Sequence, residues 1–147
     1  MARLARRKLS LLLPLLLLLS GCKDPYGSCV RAGADIAGGI TTAMQTVDSI
    51  EKAGQMTATE EKNILGYLEY ANKADAVFLT CVSTAHTSGS KTGTYTACAT
   101  AFQNTLNNPA QLALLHVTNP TTQTTVTSLT SAIVTSVGAL ITGLGGA

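Results

Sequence analysis

From Cys29 onward the apolar positions recur every three or four residues, the period of helices that each bury one stripe. Cys29, Gly33, Ile36, Ile40, Ala43, Val47 and Ile50 step by four and three in alternation, which is the seam of a helix bundle. Asp24-Pro25 starts this helix with a capping acid and a first-turn proline, and Gly54 stops it. Gly38-Gly39 weakens its middle, bending it or admitting a close neighbour. A capping box, Thr57-Ala58-Thr59-Glu60, starts a second helix that runs to about Ala85. Ile64, Tyr67, Ala71, Phe78 and Val82 share its apolar face, with Lys62, Glu69 and Lys73 on the other. Asp75 falls on the edge of the apolar face. A buried carboxylate needs a partner or a raised pKa, so Asp75 is expected to tilt outward into water.

His86 to Gly93 has loop composition, rich in Gly, Ser and Thr. Tyr95, Cys98, Phe102 and Leu106 mark a third helix, and Asn107-Asn108-Pro109 ends it. A short piece follows from Ala110 to Val117, and Asn119-Pro120 starts the last helix, whose stripe is Val126, Leu129, Ile133, Val137, Leu140 and Leu144. Asn-Pro thus occurs twice as a cap followed by the first helical residue. No segment alternates as a strand does. The expected fold is all-α: one compact antiparallel bundle of about four helices over residues 29–147, after a leader (1–21) and a short tether (22–28).

Three cysteines fall inside this bundle. The turn between the second and third helices centres near Gly89-Ser90, and Cys81 and Cys98 lie eight or nine residues to either side. They face each other across an antiparallel pair, and a Cys81–Cys98 disulfide is predicted. Reflecting Cys29 about the first turn, near Gln55-Met56, lands beside Cys81, so Cys29 is the third thiol of the layer and Cys29–Cys98 the rival pairing. A zinc site from these cysteines and His86 is the other reading of the cluster. No CxxC or HxxxH spacing supports it, and neither a metal nor any other cofactor is expected.

Charge is unevenly spread. All eight acids lie between Asp24 and Asp75, and beyond Ala76 the only formally charged side chain is Lys91. The second half is made soluble by Thr, Ser, Asn and Gln, a surface suited to a protein partner or to a second copy. The formal charge of +2 depends on four basic residues near the amino terminus. Without them the balance is slightly acidic, which argues against nucleic acid as a partner.

Those four, Arg3, Arg6, Arg7 and Lys8, precede a leucine-rich run from Leu9 to Leu19, interrupted by Ser10 and Pro14. Charge, then a short apolar run, then small residues is the pattern of a secretory signal. The run is about half of the roughly 20 residues needed to span a bilayer. Leu19-Ser20-Gly21-Cys22 resembles the lipobox of bacterial lipoprotein precursors. That resemblance covers residues 1–22 only. It implies cleavage after Gly21, a diacylglyceryl thioether and an N-acyl chain on Cys22, and stable anchoring by several chains. The lysine that follows, Lys23, suggests passage to the outer membrane in a Gram-negative host, facing the periplasm.

Candidate chemistry is sparse. Glu60-Glu61 sits at a helix start, where carboxylates suit the macrodipole. His86 lies in or beside a loop, and His116 ends a short apolar helix, where a satisfied structural histidine is expected. No nucleophile–histidine–acid constellation is recognisable, so an enzyme is not expected. In the last helix Ser131, Thr135, Ala139 and Gly143 form a ridge of small residues. A core helix is the preferred reading of that segment, an oligomer contact the next, and a membrane segment the third. The function expected is a membrane-anchored structural or protein-interaction lipoprotein. The alternatives are a small apolar ligand module lined by Tyr67, Phe78, Tyr95 and Phe102, or a phage-derived membrane-active lipoprotein.

Overall fold

Four long helices carry the apolar stripes, and the computed structural model describes them over residues 24–145. They are α1 (Pro25–Lys52), α2 (Ala58–Thr87), α3 (Thr92–Leu106) and α5 (Pro120–Gly145). A short α4 (Pro109–Leu112) and a 3-10 turn (Ala113–Leu115) connect α3 to α5. There is no strand among the described residues, and the fold is all-α. Helix α1 takes in residues 25–28, which the sequence pattern assigned to a tether, and Ser28 is already buried.

Local chemistry sets the ends. Gly54 and Gly89 are the described residues with positive φ, at +69° and +63°. Each sits just past a helix and closes it in the same way. The Gly54 N–H donates to Glu51 O (2.7 Å) and the Gln55 N–H to Ile50 O (3.1 Å). The Gly89 N–H donates to His86 O (3.0 Å) and the Ser90 N–H to Ala85 O (2.9 Å). This crossed pair of bonds needs a left-handed residue, which glycine adopts without a Cβ clash. The α2–α3 turn is therefore tighter than its composition suggests: α2 runs to Thr87 and α3 starts at Thr92. Both Asn-Pro starts cap as expected. Asn108 Oδ1 accepts from Ala110 N (3.0 Å), and Asn119 Oδ1 from Thr121 N (3.0 Å). Asp24 occupies the N-cap position of α1, but its side chain makes no capping bond.

Packing follows chain order. Helix α1 lies against α2 and α5, and α3 lies against α2 and α5, so the four form a closed ring. Two contacts fix the α1–α2 register: Tyr26 stacks on His86 with centroids 3.9 Å apart, and a Cβ on Gly33 would lie 2.6 Å from Leu79 Cδ2. The close approach in α1 thus occurs at Gly33. A Cβ on Gly38 or Gly39 would meet nothing within 4 Å, and α1 runs unbroken through them. The expected stripes are buried in all four helices, with Ile50 and Leu129 half-buried at their margins. Each fully buried Ile, Leu or Val contributes about 1.5–3 kcal/mol relative to exposure.

At one end of the ring the α1–α2 turn meets the connector into α5, and Glu60 is the clasp. Its Oε2 accepts from Thr57 N (2.8 Å) and Thr57 Oγ1 (3.0 Å). Its Oε1 accepts from Thr118 N (2.7 Å) and Thr118 Oγ1 (2.8 Å). The Glu60 N–H returns a bond to Thr57 Oγ1, which completes the capping box. The Thr122 hydroxyl adds a bond to Gln55 O (3.1 Å). Donors from Thr57 and Thr118 lower the Glu60 pKa from 4.5 to about 2. A depressed carboxylate pKa stabilises the fold above the unfolded value and loses that contribution as pH falls through the folded value. Thermal melts should therefore show stability falling between about pH 4.5 and 2. Glu60→Gln should lower the Tm at pH 7 and flatten that acid-side fall; an unchanged acid limb would remove Glu60 from this role.

Candidate functional site

Leu19, Ser20, Gly21 and Cys22, the residues that resemble a lipobox, lie outside the described residues. Of the other chemistry-bearing groups, Asp75, Cys81 and His86 lie on α2. Cys81 and Cys98 form a disulfide with their Cα atoms 5.9 Å apart. Cys81 is exposed, whereas Cys98 is buried. Cys29 is fully buried on the α1 stripe. Groups of three or more His, Cys, Asp or Glu side chains able to hold a metal are not found among the described residues.

The four aromatic side chains proposed to line a ligand site are all buried, with Tyr67 wholly inaccessible. Phe78 and Phe102 stack at 5.3 Å, and the Tyr67 hydroxyl donates to Leu106 O (3.3 Å). Burial raises the Tyr67 pKa, with a smaller contribution from Tyr70. These rings fill the α2–α3 interface and cross-brace it beside the disulfide. Outside them runs a shallow groove along α2 and α3, floored by Phe78 and Phe102 and edged by Val77, which is 70% exposed. His116 is exposed, contrary to expectation, because the chain leaves the 3-10 turn there in an extended conformation. His86 is exposed and lies against Tyr26.

Asp75 reverses a second expectation. It is buried at 3% exposure, and its Oδ1 has no hydrogen-bond partner. The reason lies in the full spacing of α2. Ile64, Leu68, Ala71, Asp75, Phe78, Val82 and Ala85 form a four–three seam, and all are buried. Asp75 is the central position of that seam, not its edge. The register set by Tyr26–His86 and Gly33–Leu79 places it level with Ala37 of α1, between Ile36 and Ile40. Burial alone pushes its pKa from 3.8 up to about 6. No charged group offsets the lost hydration.

The small-residue ridge of α5 faces away from the bundle: Ser131, Thr135 and Ala139 are exposed and Gly143 is half-buried. By length and composition α5 could cross a membrane, with a mean hydropathy of 1.5 over its most apolar window. Its apolar stripe nevertheless packs on α1 and α3 as a core helix.

Compared with family models, curated proteins and solved structures, the chain matches none.

Two measurements test this arrangement. Non-reducing peptide mapping should recover Cys81 joined to Cys98. Reduction should then lower stability by about 3 kcal/mol, the chain-entropy value for a loop of this size. An unchanged melt with reductant would show that the interface does not depend on the bridge. The second concerns Asp75. A carboxyl whose folded pKa is raised leaves stability intact below the unfolded value and lowers it as pH rises towards the folded value. Urea titrations should lose up to about 3 kcal/mol between pH 4 and 7, and Asp75→Asn should flatten that slope. An identical slope in the variant would exclude Asp75 as its source.

Proposed function

We propose that this chain is a small bacterial lipoprotein, exported with its leader, cleaved after Gly21 and held on a membrane by acyl chains on Cys22. The observation that carries this reading beyond the leader is the Cys81–Cys98 disulfide, one of whose sulfurs belongs to an exposed residue. Disulfides persist in oxidising compartments and are rare in the cytosol. Lys23 favours the outer membrane, periplasmic side, in a Gram-negative host.

Its role is structural or one of protein interaction. Two features support this. The exposed side of α5 carries Thr121, Thr124, Ser128, Ser131, Thr135 and Thr142, with no charged group anywhere on the helix. Hydroxyls of this kind turn back on their own helix, as Thr124 does to Pro120 O and Thr142 to Gly138 O, each at 3.0 Å. The surface is therefore less hydrated than a charged one and is cheap to desolvate against a partner.

Expression in a bacterium fed labelled palmitate tests the reading. Label should travel with the membrane fraction, and intact-mass analysis should find Cys22 as the acylated first residue. Cys22→Ser should abolish the label and release the protein from the membrane. An unmodified Cys22 or a retained leader would overturn the proposal.

A further inference from the structure

The path of the chain through the ring distinguishes the two ends of the bundle. One end holds the start of α1, the α2–α3 turn at Ser88–Lys91 and the end of α5. Contact between Tyr26 and His86 ties the first two together. The opposite end holds the α1–α2 turn and the connector into α5, tied by Glu60–Thr118 and Thr122–Gln55. A helix of 28 residues, the length of α1, separates the ends by about 40 Å.

The charges are not shared equally. The far end carries Asp48, Glu51, Glu60 and Glu61 against Lys52 and Lys62. The near end carries Arg31 and Lys91 against Asp24 and Asp35. It also presents Tyr26, which is half-buried, and Val30, which is 40% exposed one turn further along α1. Tyrosine with an adjacent aliphatic residue and basic side chains is a combination favoured at the boundary between headgroups and water.

We infer that the near end, through Tyr26, Val30, Arg31, His86 and Lys91, rests on the phosphate-bearing headgroup surface of the membrane, with the acidic end pointing away. The inference rests on acylation of Cys22. Only Lys23 and Asp24 separate Cys22 from Pro25, and a fully extended chain covers about 10 Å over that span. An anchor at Cys22 therefore holds this end of the ring, and not the opposite one, beside the lipid. At this end Arg31 and Lys91 balance Asp24 and Asp35, so it meets lipid phosphates without net repulsion, and the end with the excess of carboxylates is kept about 40 Å away, well beyond the screening length at physiological salt.

The chain contains no tryptophan, so single tryptophans report position without background. The full-length lipidated protein would carry Ser88→Trp at the near end, His116→Trp at the far end or Thr135→Trp on the side of α5. All three positions are exposed. Tyr26→Trp is a second, conservative near-end reporter. Each variant would be reconstituted into vesicles of phosphatidylethanolamine and phosphatidylglycerol carrying a nitroxide quencher on the headgroup. Ser88→Trp and Tyr26→Trp should be quenched several-fold more than His116→Trp, with Thr135→Trp between them. Equal quenching at every position, or strongest quenching at Thr135→Trp or His116→Trp, would overturn the orientation while leaving the anchor intact. Failure to float with vesicles, together with an unmodified Cys22, would overturn the anchor and the orientation with it.

Discussion

Each long helix has to bury an apolar stripe against two neighbours at once, and the rest of the structure follows from that demand. A helix packed on one partner needs only a narrow seam. In a ring of four, the buried arc is wide enough to reach positions that a one-partner reading leaves in water. Helix α2 shows the consequence. It packs on α1 through Leu79 against Gly33, and on α3 through Phe78 against Phe102 and through the disulfide.

Asp75 is where this demand conflicts with chemistry. The backbone carries the residue into the centre of a seam in which every other position is apolar or alanine. Nothing on the facing elements offers it a hydrogen bond through Oδ1. Protonation relieves the conflict below about pH 6, since a neutral carboxyl is far less costly to bury than a charged one. Glu60 is the opposite case. It lies at the surface, yet main-chain and side-chain donors of Thr57 and Thr118 hold it ionised far below the usual carboxylate range. The two together favour a bundle most stable at mildly acidic pH, with the alkaline limit set at its centre and the acid limit at its rim.

The disulfide, the aromatic stack and the Tyr67–Leu106 hydrogen bond reinforce one interface, α2–α3. Helix α3 is only 15 residues long and lacks a side-chain cap at its start. Short helices are marginal without tertiary support. A covalent link one turn from the Phe78–Phe102 stack supplies it in a small domain with a limited core.

Much of this was legible in the residues alone. Helix number, the two Asn-Pro starts, the Thr57–Glu60 box and the Gly54 stop are local, because caps and turns are made by residues within a few positions of each other. The Cys81–Cys98 pairing was legible too, because an antiparallel hairpin is symmetric about its turn. The expectations that failed depend on what lies across an interface. Gly33, not Gly38-Gly39, receives a neighbour, because only the register of α1 on α2 decides which glycine meets Leu79. His116 is exposed because the backbone is extended there, so Leu115 and Val117 point into the core and the residue between them points out. Asp75 is buried because the ring closes on both sides of α2, although the unbroken four–three spacing from Ile64 to Ala85 carried the signal. Sequence by itself determined the helices, their ends and the pairing of two thiols, since each depends on short-range geometry. Tertiary structure alone decided which polar groups lose their water, because burial is set by neighbours far away along the chain.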